Sequence, residues 1–324
     1  MLPKLPALLG PLFILHILKN HSGIGVKVFK FHVPSVYNED SCNLDRLDSW
    51  LQFAVKSGIK KLRLILTMDE KYNFPCSLRH LSLACCHFHS TVKPSCFRSL
   101  TKLKLTVVHI TASELGWFLS SSFALEQLKL RYCNDIVCLK IPCLQRLSYL
   151  EVMVNTPMLP GKFLHLKFLR IAVGGLMFDF LSLASFLDAS PSLETFVLEV
   201  IRESKERVSV FEDPSDLRMM PGHRHSKLKH AKIIKFSAAK SVAELTCHIL
   251  ESATSLECLT LDTTHGMPRC SVNKTGKCIF LLKGAIVEAQ KGVLAAEVFI
   301  KPRVPSTVEF NVFEPCSRCH AVGF

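Results

Sequence analysis

Two short strings carry residue types that could do chemistry. Cys316-Ser-Arg-Cys319-His320 has the C-x-x-C-H spacing of covalent haem attachment, and it also offers three zinc donors. Haem attachment needs a small helical domain, an axial ligand and a route out of the cytosol, and nothing else in the chain points that way. Zinc needs a fourth donor, which Cys270, Cys278 or His265 would supply only by folding back onto the string. The economical reading is a terminal structural cap, with no metal and no cofactor. Cys85-Cys86-His87-Phe88-His89 is the second string. Successive side chains of a strand alternate in direction, so these donors do not converge on one point. Cys86 is expected inside and the histidines in solvent. The chain contains no Gly-x-Ser-x-Gly, no His-Glu-x-x-His, no P-loop and no Gly-x-Gly-x-x-Gly, and Gly23-Ile-Gly25 is a lone pair before a strand. No catalytic residue is assigned, and a non-catalytic protein is expected.

The elements that must position such residues follow from composition and repetition. The chain has 324 residues, 48% of them apolar and 21% charged, which excludes wholesale disorder. No apolar run reaches the ~18–20 uncharged residues of a membrane-spanning helix. The net charge is +13, which favours acidic partners without saying which kind. Fourteen cysteines are irregularly spaced and several sit inside apolar runs, so most read as buried thiols in a reducing compartment. Cytoplasm or nucleus is the expected location.

The dominant signal is a repeated Leu-x-x-Leu-x-Leu. Copies begin at Leu78, Leu100, Leu125, Leu147, Leu166, Leu193 and Leu256, with weaker ones at Val26, Ile59 and Leu228. From Ile59 to Leu193 the starts lie 19 to 27 residues apart, and later intervals of 35 and 28 imply inserted loops. Each copy ends in apolar–polar alternation, the mark of a strand with one buried face. Between copies the spacing turns helical. Leu47, Trp50, Leu51, Ala54 and Val55 form one stripe ahead of Gly58. Thr111-Ala-Ser-Glu114 is a capping box ahead of Leu115, Phe118 and Leu119. Phe180, Leu183 and Leu187 form a further stripe, as do Val242, Leu245 and Ile249. Strand then helix, repeated, with no unit able to bury its own face, predicts an α/β leucine-rich-repeat solenoid. The expected shape is a horseshoe of about nine or ten irregular repeats with a concave parallel sheet. Cys86, Cys133 and Asn155 occupy the position after the closing leucine where such repeats turn a small polar residue inward.

The outward positions of these strands are strongly basic. They include Lys61, Arg63, Lys102, Lys104, Lys129, Arg131, Arg170 and Lys232, with His80 and His230, against Glu151, Glu199 and Asp262. On strands about 4.8 Å apart, such a stripe focuses a positive field. With Tyr149 added, these residues are the candidate partner-binding face, centred on Lys102, Lys104, Lys129, Arg131 and Arg170. Aromatics there are sparse, only Tyr149 and Phe168, so base stacking has little to work with and nucleic acid is not the expected partner. A second basic region, Arg202 to Lys235, carries Pro214, Pro221 and Gly222 and reads as a mobile inserted loop.

Several strings resemble the leucine-rich-repeat region of plant F-box/LRR proteins of the kind with an FBD-type C-terminal part. They are His21-Ser-Gly-Ile-Gly-Val26, Leu47-Asp-Ser-Trp50-Leu-Gln-Phe-Ala54 and Tyr132-Cys-Asn-Asp135 with Leu139-Lys-Ile-Pro142. The C-terminal Val304-Pro-Ser-Thr307 and Glu314-Pro-Cys-Ser-Arg-Cys319-His320 complete the set. The resemblance runs over about residues 19–324. It implies a substrate-recruiting subunit of an SCF-type ubiquitin ligase, in which the F-box grips a Skp-type adaptor and the repeats bind a protein substrate. The adaptor is implied only where an F-box lies upstream of His21, and Met1-Leu-Pro-Lys-Leu-Pro is at most a remnant of one.

The expected organisation is an apolar leader over 1–23, the solenoid over 24–265 and a capping region over 266–324. Lys4 and the apolar run Leu5 to Leu18 mimic a signal peptide, but Pro3, Pro6 and Pro11 interrupt the region and no Ala-x-Ala site follows. In the cap, Ile279 to Gln290 reads as a helix, and Leu294 to Ile300 and Val308 to Phe313 read as strands. Two other functional classes stay open. One is a secreted or surface repeat-receptor fragment. The other is a repeat protein that binds nucleic acid through its basic face.

Overall fold

The computed structural model describes residues 27–32, 59–65, 76–88, 97–136, 139–142, 144–154, 158–159, 162–174, 178–201, 208–212, 217–218, 220, 224–266, 270 and 277–320. The helical stripe at 47–55, Asn155 and His89 lie outside the described residues. The chain divides into two compact units, Met1–Arg146 and Leu147–Phe324.

The first unit is a parallel sheet of β1 (Val28–His32), β2 (Lys61–Ile65), β3 (His80–His87), β4 (Lys102–His109) and β5 (Gln127–Arg131), paired in chain order. The register repeats without slippage: Leu62, Leu81, Leu103 and Leu128 stand side by side, as do Leu64, Leu83, Leu105 and Leu130. All eight are buried, which is what the alternating pattern demands. One carbonyl at the start of each turn accepts two N–H groups from the next. Lys60 accepts from Arg79 and His80, Arg79 from Thr101 and Lys102, and Thr101 from Glu126 and Gln127. Helix α1 (Ala112–Ser120) follows β4. Its capping box forms as predicted: Glu114 N–H donates to Thr111 Oγ1 at 3.2 Å, and Thr111 N–H donates to Glu114 Oε2 at 2.9 Å. Phe118 of α1 packs on Phe97, ring centroids 4.1 Å apart, and edge-on to Phe88.

A backbone feature recurs just past the closing leucine. Cys85, Val107 and Tyr132 all have φ between 53° and 55°, and Lys235 of the second unit has 59°. In this left-handed conformation the chain turns so that the next residue points inward. Cys86, Val108, Cys133 and Phe236 are accordingly buried. The Cys133 thiol donates to the Arg131 carbonyl, and burial pushes its pKa up, so it is an inert structural thiol. Short strand β6 (Leu139–Lys140) closes this unit's elements.

The second unit is a parallel sheet of β7 (Tyr149–Val154), β9 (Phe168–Val173), β10 (Thr195–Val200), β11 (His230–Ile234), β12 (Cys258–Asp262) and β13 (Glu309–Phe313). Strand β8 (Met158–Leu159) is a short extra. The stripe at Phe180, Leu183 and Leu187 forms a 3-10 turn, Phe180–Leu183, running into α2 (Ala184–Asp188). The stripe at Val242, Leu245 and Ile249 forms α3 (Lys240–Ser252), with all three buried. The two units together contribute eleven parallel sheet strands, the architecture of a leucine-rich-repeat solenoid.

The C-terminal region corrects one expectation. Helix α4 runs from Lys283 to Ala295 and continues through a π-type turn, Ala296–Ile300, in place of the strand expected over Leu294 to Ile300. Leu294, Val298 and Ile300 mimic strand alternation. Yet Ile286, Ala289, Gly292, Ala295, Ala296 and Ile300 are buried, a helical stripe whose small side chains allow close approach. A Cβ on Gly292 would lie 2.5 Å from the Phe236 carbonyl oxygen. After this helix β13 adds one more parallel strand, and Thr263 donates from both N and Oγ1 to the Phe313 carbonyl at 2.9 Å.

Candidate functional site

Register assembles the basic residues of the first unit into three rows. One row is Val28, Lys61, His80, Lys102 and Gln127. The next is Lys30, Arg63, Ser82, Lys104 and Lys129. The third places Ile65, Ala84, Thr106 and Arg131 side by side. None of these positions is a carboxylate. The alternating leucines are buried beneath, so the intervening side chains share the solvent face. Register therefore places Lys61, Arg63, Lys102, Lys104, Lys129 and Arg131 on adjacent strands.

His80 reports the field of this face. Partial burial pushes its pKa down, and Lys61 and Lys102 on the flanking strands push it further, against a smaller pull from Glu126. Neighbouring strands stand about 4.8 Å apart, well inside a Debye length of about 8 Å at physiological salt, so these charges act together.

The second unit's face has a different character. Arg170 Nη2 lies 2.6 Å from Glu199 Oε2, so Arg170 is committed to an ion pair within its own sheet. Tyr149 stacks on Phe168 with centroids 4.4 Å apart and planes 5° apart, and its hydroxyl donates to Glu151 at 3.0 Å. Lys232 stands between Val197 and Thr260. Asp262 is buried and accepts at one oxygen from Thr264 N and Oγ1. Of the predicted face, Tyr149, Arg170 and Lys232 thus sit among aromatic, acidic and apolar neighbours.

At the ends of β3 and β4, His87 and His109 stack at 4.1 Å, and His109 Nδ1 lies 2.9 Å from Asp135 Oδ2. The Cys85–His87 donors diverge as expected: Cys85 is exposed and Cys86 buried. The stacked pair depends on β3–β4 register, which no single string shows.

Part of the inserted segment is anchored. Val210 is buried and donates its N–H to Ala238, and Phe211 meets Phe299 edge-on at 5.5 Å. Arg218 binds Glu244 and Asp179 together, which raises its pKa.

Two clusters gather metal-type donors. The Sγ atoms of Cys270, Cys278, Cys316 and Cys319 all lie within 4.8 Å of one another. Cys270 and Cys278 therefore do fold back onto the Cys-x-x-Cys turn. His320 does not join them, because its Nε2 is 2.9 Å from the Ile279 carbonyl. Backbone N–H groups of Cys319 and Arg318 stabilise the Cys316 thiolate and lower its pKa to about 6. The second cluster is Asp188, His225 and His248, with His225 Nε2 3.4 Å from Asp188 Oδ1. Burial lowers the His248 pKa.

No helix among the described residues is long and apolar enough to cross a membrane. The family described as At1g61320/AtMIF1, LRR domain, matches residues 17–154 and 151–317. The F-box/LRR-repeat protein At3g03360 of Arabidopsis thaliana is 31% identical over 138 residues, 39% of this chain and 28% of that protein. The alignment thus spans under a third of that relative's length. With the repeat register observed in both units, the chain belongs to the At1g61320/AtMIF1 LRR-domain family.

Proposed function

We propose that this chain recognises an acidic segment of a protein substrate, as the substrate-binding part of an SCF-type ubiquitin ligase whose catalysis resides in other subunits. The observation that carries the reading is the trio of rows on β1–β5, where Lys61, Arg63, Lys102, Lys104, Lys129 and Arg131 stand in register and none of the described row positions is a carboxylate. Charge of one sign on a rigid sheet steers and orients an oppositely charged partner. The kinship with an F-box/LRR-repeat protein supports the ligase setting. The described cysteines are thiols, which supports work in the cytoplasm or nucleus.

The ligase setting is tested by capture of a Skp-type adaptor, using this chain beside the product of a transcript extended upstream. Capture by the extended form supports the role. Capture by neither removes the ligase and leaves a free-standing interaction module.

Nucleic-acid binding is the second reading. The described basic rows contain no Phe, Tyr or Trp, and Tyr149 and Phe168 of the second unit stack on each other. The phosphates of a nucleic acid would find cations on these rows, but its bases would find no large aromatic platform among them. Such binding would weaken steeply with salt and ignore sequence.

A further inference from the structure

We propose that Cys270, Cys278, Cys316 and Cys319 form a structural zinc site that fastens the two ends of the α4–β13 region together.

The argument starts from distance. A tetrahedral zinc–thiolate site with Zn–S near 2.3 Å has sulfur–sulfur edges of about 3.8 Å. Cys270 Sγ and Cys316 Sγ are 3.7 Å apart, and the remaining edges are at most 4.8 Å. A disulfide would hold two sulfurs near 2.05 Å and leave the other pair separate. Four sulfurs mutually close together are the arrangement of a single shared ion.

The local backbone explains how the donors converge. Residues 316–320 form one tight turn, in which Cys319 and His320 N–H groups donate to the Cys316 carbonyl at 3.2 and 2.8 Å. That turn puts both sulfurs of the Cys-x-x-Cys pair on one side. Cys270 N–H donates to Cys278 Sγ at 3.3 Å, so the second pair is also arranged around a sulfur acceptor. Amide donors to sulfur offset thiolate charge, as the outer shell of a metal site does. His320, the other donor of the string, is held by Ile279 and so fixes the turn rather than the ion. Four sulfurs with no open position suit zinc in a closed structural role. On binding, the ion displaces the thiol protons to solvent, and the tetrathiolate complex carries a net charge of −2.

The region has reason to be fastened. β13 stands last in the strand order, and Phe280, Leu282, Leu294 and Val298 leave much of their apolar surface in solvent. The side chains that α4 buries are mostly small, Ala289, Gly292 and Ala295 beside Ile286, and a cross-link between residues 270–278 and 316–319 encloses both α4 and β13. Metal binding of this kind contributes directly to folding. The cluster of Asp188, His225 and His248 offers one donor fewer and serves as the internal control.

The test is metal content of the full chain, purified under reducing conditions without chelator, beside Cys278→Ser/Cys319→Ser and His225→Ala. About one zinc per chain is expected, kept by His225→Ala and lost by the double serine variant. Because the double variant could fail for want of folding, the wild type is also loaded with cobalt. The thiolate charge-transfer band of a four-sulfur tetrahedral site is expected, together with protection of the four thiols from alkylation. Metal-free protein whose thiols alkylate equally with and without zinc overturns the proposal. So does iron in place of zinc, a disulfide in the cluster, or zinc retained by the double variant.

Discussion

Arg218 grips the buried Glu244 from two of its nitrogens: Nε lies 3.0 Å from both carboxylate oxygens, and Nη2 lies 2.6 Å from Oε2. Its remaining donors reach Asp179, which in turn accepts from Leu181 N–H at the start of the 3-10 turn before α2. One side chain from the inserted segment therefore pairs with a buried carboxylate of α3 and holds the Asp179 that caps a second element. Arg218→Met leaves Glu244 buried without its partner and is expected to cost about 1–3 kcal/mol. Adding Glu244→Gln should recover part of that loss. Urea unfolding of the two single variants and the double variant measures the coupling, and strictly additive losses would contradict it.

Stability should depend on pH through His80. Its folded pKa lies below its unfolded value of 6.5 because burial, Lys61 and Lys102 disfavour the imidazolium. The unfolded chain then binds the proton more readily. His80's contribution is fully present above about pH 6.5 and is lost as pH falls from there toward the folded pKa. Lys102→Ala should raise the His80 midpoint in a proton NMR titration, and an acidic peptide laid on the face should raise it further. A midpoint that responds to neither would separate His80 from the basic rows.

Val107 holds φ at 53°, a conformation that β-branched residues rarely adopt, and its side chain is largely exposed. Asn tolerates this geometry with no Cβ branch. Val107→Asn is expected to stabilise the first unit by about 0.5–1 kcal/mol, read as a higher Tm. A lower Tm would mean that the Val107 side chain contributes packing that outweighs the strain.

Gly292 is the point where α4 touches the turn after β11. An added methyl would stand 2.5 Å from the Phe236 carbonyl oxygen, a backbone atom that cannot step aside. Gly292→Ala should therefore destabilise by about 1–3 kcal/mol, while Gly284→Ala, where a Cβ meets nothing within 4 Å, should be neutral or favourable. Equal effects of the two would contradict the docking of α4.

The repeat was legible because one pattern fixes both burial and register. Even the weak copies at Ile59 and Leu228 bury their apolar residues in sequence, Ile59-Leu62-Leu64 and Leu228-Ala231-Ile233. The capping box at Thr111 was equally local. What stayed hidden depends on residues far apart in the chain. The His87–His109 stack needs the neighbouring strand, and the Arg170–Glu199 pair needs a strand 29 residues on. The return of Cys270 and Cys278 to Cys316 and Cys319 spans more than forty residues at its widest, 46, and leaves no local mark beyond the Cys-x-x-Cys pair. The misread strand at Leu294–Ile300 has a different cause. Its alternation is compatible with both periods, and the fit of Gly292 against the turn after β11 decides for the helix.

The basic face is the central claim, and its most direct test is fluorescence anisotropy with a glutamate-rich peptide. The wild type is compared with Lys102→Glu/Lys104→Glu/Lys129→Glu/Arg131→Glu and with an equal charge reversal of four exposed residues elsewhere, Arg146, Lys162, Lys283 and Lys291. Reversal on the face is expected to weaken binding by at least about tenfold, about 1.4 kcal/mol, and the control reversal by no more than about threefold. Equal losses in the two variants would show that net charge alone attracts the peptide, and would contradict a binding site on β1–β5.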